Sequence, residues 1–113
     1  MKRSRLFTCE ITKYKIEFII DESSNFAILN TIICDYKNFK AFLALLRNSI
    51  DKLIKSNITK IRQSVSFQEW EYYLKNKTTY DIVYTDTKSQ IYDIECSSSD
   101  FLQNYGIGIG LLD

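Results

Sequence analysis

Hydrophobic and polar residues alternate along the first third of the chain, which predicts strands. Apolar side chains occupy every second position over residues 14–20, mostly with charged ones between them, as in a half-buried strand. Cys9 and Ile11 fall in the opposite phase, so we expect either a hairpin with its turn at residues 12–13 or one long bulged strand. The nearly continuous apolar run of residues 26–34 predicts a further, more buried strand.

A helical period replaces this alternation in the next segment. Asp35 is a suitable N-cap and Asn57 suits the position just after a helix, so we predict a long helix over residues 36–56. Leu45 interrupts the pattern because it falls among the polar positions. The side chains expected to face the core recur at intervals of three, four and seven residues; they are Phe39, Phe42, Leu43, Leu46, Ile50, Leu53 and Ile54.

A capping box marks the start of a second helix. Ser66 and Glu69 can each satisfy a free backbone N–H group of the other. We therefore predict a helix over residues 67–76, which follows a short strand over residues 58–65. Helical spacing selects its inward side chains, which are Phe67, Trp70, Tyr73 and Leu74.

The last part of the chain predicts a hairpin and a short helix. Strands over residues 80–85 and 90–96 surround a polar turn, and a helix over residues 101–105 ends at glycines. The order is then β-β-β-α-β-α-β-β-α, and hairpin connections favour an α+β fold: a small, mostly antiparallel sheet with two main helices packed on one face. The 113 residues suit a single domain, 1–113, with 106–113 as a candidate flexible glycine-rich tail.

The residue types argue against the commonest enzyme chemistry. The chain has no histidine, which removes the most frequent general base and zinc ligand. Cys9, Cys34 and Cys96 are far apart and odd in number, so we expect reduced thiols in a cytoplasmic compartment. No segment reaches the roughly 18 consecutive apolar residues of a membrane span. We predict no catalytic residues, no metal, no cofactor and no membrane contact.

Acidic residues in the second half could supply oxygen ligands for a divalent cation. Asp93 and Glu95 share a strand face, where Asp81 could join them across the hairpin. Their spacing matches no calcium-binding loop, and two of the acids fall in turn or cap positions. We therefore interpret the set as a solvated strand face: Asp81, Asp86, Asp93, Glu95 and Asp100.

Charge is segregated along the chain. Residues 35–62 hold seven Lys or Arg and two Asp, whereas residues 77–113 hold two Lys and six acids. The basic segment could meet an acidic protein surface, while nucleic-acid binding ranks last because the net charge of the chain is only +1. An exposed tyrosine could anchor such an interface, and edge strands could also pair into a homo-oligomer. The candidate partner-binding residues are Lys37, Lys40, Arg47, Lys55, Arg62 and Tyr72.

The glycines near the C-terminus supply an alternative. The segment from Gln103 to Gly108 reads Q-N-Y-G-I-G, and Gly110 follows. It resembles the Q/R-x-x-G-x-G pyrophosphate loop of the acyl-CoA-binding acetyltransferases, in which backbone N–H groups at a helix start bind coenzyme A. The resemblance implies cofactor binding by Gln103, Gly106, Gly108 and Gly110. The other interpretation of the segment is a helix end followed by a glycine tail.

Two hypotheses of different classes follow from these patterns. The first is a non-enzymatic protein-interaction or inhibitor module that acts through a charged surface. The second is a small acyl-CoA-binding, acetyltransferase-like domain that uses the C-terminal glycines.

Overall fold

A computed structural model of the protein describes residues 4–11, 13–21, 23–34 and 39–108. Its elements follow in the predicted order, so the α+β class is confirmed. The predicted hairpin is also confirmed, because Ile11 pairs with Tyr14 on the next strand, although residue 12 of its predicted turn lies outside the described residues. The elements are β1 (Ser4–Ile11), β2 (Tyr14–Asp21), β3 (Phe26–Ile33), α1 (Phe39–Lys55), β4 (Lys60–Ser66), α2 (Phe67–Lys75), β5 (Asp81–Asp86), β6 (Ile91–Ser97) and α3 (Ser98–Gly108).

The strands form one six-stranded sheet in the order β1-β2-β3-β4-β6-β5. Neighbours are antiparallel, as predicted, except for β3 and β4, which run parallel because α1 carries the chain back across the sheet. This parallel pairing extends from Phe26 opposite Lys60 to Ile28 opposite Arg62. β1 and β5 are the two edge strands of the described sheet.

The helices form one layer on one face of the sheet. α3 contacts both α1 and α2, while α1 packs on β2 and α2 packs on β4 and β6. Strand alternation supplies the other half of the core, because the even-numbered side chains of β2 are buried against the helices. Phe101 of α3 lies at the centre of the core, with its ring 6.2 Å from that of Phe18. The opposite face of the sheet is not covered by the described helices and carries both charged side chains, such as Arg62 and Glu95, and exposed apolar ones, such as Ile28 and Ile91.

α1 is confirmed from Phe39 to Lys55, and the predicted N-cap Asp35 and residues 36–38 of the predicted helix lie outside the described part of the chain. Two predicted orientations are wrong. Leu45 is buried although it falls among polar positions, and Ile54 is largely exposed although it was expected to face inward. α1 contacts β1 and β2 as well as α3, so its buried arc is set by neighbours on two sides and not by the sheet alone.

α2 begins with the predicted capping box: the Glu69 N–H donates to Ser66 Oγ at 3.2 Å, and the Ser66 N–H donates to Glu69 Oε1 at 3.2 Å. Trp70 and Tyr73 are buried as predicted. Phe67 and Leu74 are exposed, so their predicted inward orientation is wrong. α2 packs over β4 and β6, which leaves the side of the helix beyond these strands uncovered.

α3 differs from the predicted short helix. It runs from Ser98 to Gly108, so Gly106 and Gly108 lie inside it and do not end it at residue 105. The first turn is held by two hydrogen bonds, from the Asp100 N–H to Ser97 Oγ at 3.3 Å and from Ser98 Oγ to the Ile58 carbonyl at 2.8 Å. Residues 106–108 of the candidate glycine-rich tail therefore lie within α3, and its remainder, 109–113, lies outside the described residues.

Candidate functional site

The outer face of α1 carries exposed cations on a narrow arc. Lys40, Arg47 and Lys55 are separated by seven and eight residues, which places them within roughly 80° of one another at about 100° per residue. All three are exposed. We call these three residues the α1 basic surface. Lys37, predicted to belong to it, lies outside the described part of the chain.

One acidic residue of α1, Asp51, lies on the same arc as the three cations of the α1 basic surface, so this arc has a net charge of +2. None of its three cations forms an ion pair with a described residue. Asp51 lies four residues from both Arg47 and Lys55, yet it makes no ion pair with either. The positive charge of this surface is therefore available to a partner.

Arg62 lies on the opposite side of the molecule from this surface. Its neighbours in β4, Ile61 and Gln63, are buried under the helices, so Arg62 points to the open face of the sheet. There its Nε lies 2.9 Å from Glu95 Oε2, and its guanidinium lies 3.9 Å from the ring centroid of Phe26. Lys60 Nζ contacts the same glutamate at 3.4 Å. Arg62, predicted to bind a partner together with the cations of α1, therefore lies apart from them, because strand alternation turns it to the other face of the sheet.

Tyr72 is half-exposed on α2, where its hydroxyl donates a hydrogen bond to the Ile107 carbonyl at 3.4 Å. It borders a shallow pocket of about 240 Å³ between α2 and α3. α3 packs between α2 and α1, so Tyr72 is not continuous with the α1 basic surface. The predicted set of partner-binding residues thus divides among three places in the fold.

A groove beside Arg47 was not predicted from the sequence. It has a volume of about 270 Å³ and runs between α1 and α3, with Ile54 and Leu102 supplying apolar walls. The exposed Ile54 would have indicated it, but helical periodicity assigned this residue to the core. The polar lining of this groove includes Arg47, Asp51 and Ser99, and its apolar walls can hold a hydrophobic side chain of a partner.

The glycine segment does not have the geometry of a phosphate-binding loop. Gly106 and Gly108 occupy the last turns of α3, where backbone N–H groups are directed into the helix toward earlier carbonyls. The end of a helix also carries a partial negative charge, which repels phosphate. Gln103 is exposed on the same helix, and Gly110 lies outside the described residues. The described part of the chain gives the acyl-CoA hypothesis no support.

The acidic residues have separate structural roles. Glu95 pairs with Lys60 and Arg62, and Asp93 accepts a hydrogen bond from Ser64 Oγ at 2.5 Å. In the turn after β5, hydrogen bonds from the Ser89 hydroxyl and backbone lower the pKa of Asp86. Across residues 4–11, 13–21, 23–34 and 39–108, no cluster of three or more His, Cys, Asp or Glu side chains could hold a metal ion.

The cysteines give a prediction about reactivity. Cys96 is buried in β6, and burial raises its thiol pKa to about 12. The reactive species is the thiolate, so at pH 8 we expect iodoacetamide to modify the partly exposed Cys34 before Cys96 and the buried Cys9. Peptide mapping by mass spectrometry after timed alkylation measures the order. Equal rates for Cys34 and Cys96 in the folded protein would contradict it.

No protein-family model matches the chain, and a search of curated protein sequences gave no match. Within the described residues, no helix combines the length and apolar character needed to cross a membrane.

Proposed function

We propose that this protein is a non-enzymatic protein-interaction module of the inhibitor type, which binds an acidic surface of a partner protein through the α1 basic surface. The observation that carries the proposal is the contrast between two sets of cations. Lys60 and Arg62 on the sheet are paired with Glu95, whereas the cations of the α1 basic surface pair with no described residue. Cations that are held on one rigid face without ion-pair partners are an arrangement that complementary interfaces use.

The adjacent groove supports the same use of this face. Each exposed ion pair contributes only about 0.2–1 kcal/mol, so three cations mainly steer association and select the partner. Affinity needs apolar area at the centre of the contact, and Ile54 and Leu102 supply it next to Arg47. The proposal includes an intracellular, reducing site of action, which is consistent with three cysteines that form no disulfide.

Charge reversal tests the proposal. We expect a Lys40→Glu/Arg47→Glu/Lys55→Glu variant to lose the partner that the wild-type protein captures from a lysate of its native cells, because three attractive charges become repulsive. The captured protein is quantified by mass spectrometry, and we expect it to present an acidic surface and to be recovered at least about tenfold less.

A control variant with the same change of net charge keeps the test specific. Lys75→Glu/Lys77→Glu/Lys88→Glu reverses three exposed lysines that lie elsewhere on the molecule. This variant should retain the partner, and circular dichroism should show both variants folded. Equal loss with both variants, or no specific capture by the wild-type protein, would contradict the proposal.

A further inference from the structure

The edge strand β5 is apolar and uncovered. Ile82 and Val83 are exposed, and Tyr84 is 62% exposed, although all three lie within a strand. The described helices do not reach β5: α1 packs over β1 and β2, and α2 and α3 pack over β4 and β6. The helix layer therefore stops one strand short of this edge of the sheet.

Further exposed apolar side chains lie beside β5, on both faces of the sheet. Ile91 of β6 is exposed, as are Phe67 and Leu74 on the side of α2 that extends beyond β6. The ring of Phe67 lies 5.9 Å from that of Tyr92, which is opposite Thr85 of β5. Exposed apolar side chains that cluster at one edge of a sheet in this way mark an interaction site.

The backbone of β5 can pair with an additional strand along its outer side. β5 pairs with β6 along one side and is the last strand in the described sheet order. An edge strand presents unpaired N–H and C=O groups, which an incoming extended segment can satisfy by joining the sheet. Exposed apolar side chains on the same strand then supply side-chain contacts for the added segment.

The charged residues around β5 indicate which kind of segment can pair with it. Asp81 and Asp86 stand at the two ends of the strand, and Asp93 lies opposite Tyr84 on β6. Lys88, in the following turn, forms no ion pair with the described residues. In the register that pairs the full length of the strand, a second copy joined antiparallel through its own β5 would place Asp81 against the other copy's Asp86, and like charges directly opposite each other are destabilising. A partner segment with basic residues at both ends would instead complement Asp81 and Asp86.

We infer that the β5 edge is a second binding surface, which accepts an extended segment of a partner protein that has apolar residues at its centre and Lys or Arg at its ends. This surface is separate from the α1 basic surface and opposite in charge. It therefore does not depend on the proposed function, and either can fail without the other.

Three synthetic peptides test the inference. They share an alternating Val-Thr centre and differ in carrying Lys, Ser or Glu at both ends. We expect the Lys-ended peptide to bind at least about tenfold more tightly than the Glu-ended one by fluorescence anisotropy. We also expect it to slow the exchange of backbone amide hydrogens in β5. If the Lys-ended peptide does not bind, or if it leaves β5 exchange unchanged, the inference is wrong.

Matched variants locate the site. Tyr84→Lys on β5 should weaken binding of the Lys-ended peptide about tenfold, whereas Leu6→Lys on the other edge strand, at a residue 61% exposed, should leave it unchanged. Asp81→Lys should shift the preference toward the Glu-ended peptide. Equal effects of Tyr84→Lys and Leu6→Lys would contradict the assignment. A concentration-dependent dimer in sedimentation, abolished by Tyr84→Lys, would overturn it in favour of a second copy.

Discussion

Replacing Phe101 by alanine is expected to lower the free energy of unfolding by about 3–5 kcal/mol, the range for large buried aromatic residues. Phe101 is fully buried. Its ring stacks on Tyr105 at 5.6 Å and meets Phe18 edge-on at 6.2 Å, so it joins α3 to the sheet. Removing the ring loses these contacts and leaves a cavity that the surrounding helix and strands cannot fill.

Chemical denaturation monitored by circular dichroism measures this loss, and Phe67→Ala is the matched control. Phe67 is substantially exposed, so the same truncation should cost no more than about 1 kcal/mol. Phe101→Leu keeps most of the side-chain volume, so its loss of stability should lie between those of Phe101→Ala and Phe67→Ala. A Phe101→Ala protein as stable as Phe67→Ala would contradict the central position of Phe101 in the core.

Replacing Gly108 by alanine is expected to destabilise the protein by about 1–3 kcal/mol, as overpacking does. On an exposed helix face the same change would raise the free energy of unfolding by up to about 1 kcal/mol. The space around position 108 therefore determines whether the substitution stabilises or destabilises the protein. A Cβ atom at position 108 would lie 2.7 Å from Cζ of Tyr73 and closer still to Cε1 and Oη. The Tyr73 ring is buried and packs edge-on against that of Tyr80, with 4.8 Å between the ring centroids.

A second variant separates this clash from other effects of the substitution. Tyr73→Leu removes the ring tip, so Gly108→Ala should become neutral or slightly stabilising in that background. The difference between the two backgrounds, measured by thermal or denaturant unfolding, is the coupling energy of the pair. An increase in stability on adding Gly108→Ala to the wild-type protein would show that Tyr73 does not fill this space.

Local patterns were sufficient for most of the fold. The alternation in β2 and the capping box at Ser66 depend on residues close in sequence, and both are confirmed. The order of elements followed from such patterns. The parallel pairing of β3 with β4 is a tertiary feature, and no pattern in either segment predicted it.

The wrong predictions share a physical cause. Whether a side chain is buried depends on neighbours from distant parts of the chain, which local sequence patterns do not specify. Phe67 and Leu74 have inward helical spacing, but α2 extends beyond the strands beneath it. The glycines suggested a helix end, yet Tyr73, distant in sequence, lies where a side chain at position 108 would be. Arg62 follows α1 closely in sequence but points through the opposite face of the sheet.

The candidate site was therefore predictable in part. The sequence placed Lys40, Arg47 and Lys55 on one exposed helix face, and the structure has all three there. It could not show that they would have no ion pair, because that depends on which acids the fold brings near. It also missed the groove at Ile54, since the position of α3 creates that groove.

The most direct test of the α1 basic surface is the affinity of the captured partner, measured by isothermal titration calorimetry. Lys40→Glu/Arg47→Glu/Lys55→Glu should raise the dissociation constant by about a hundredfold or more, and the wild-type affinity should fall steeply with added salt. Lys75→Glu/Lys77→Glu/Lys88→Glu should stay within about threefold of wild type. A wild-type dissociation constant retained by the α1 variant would contradict a binding role for this surface.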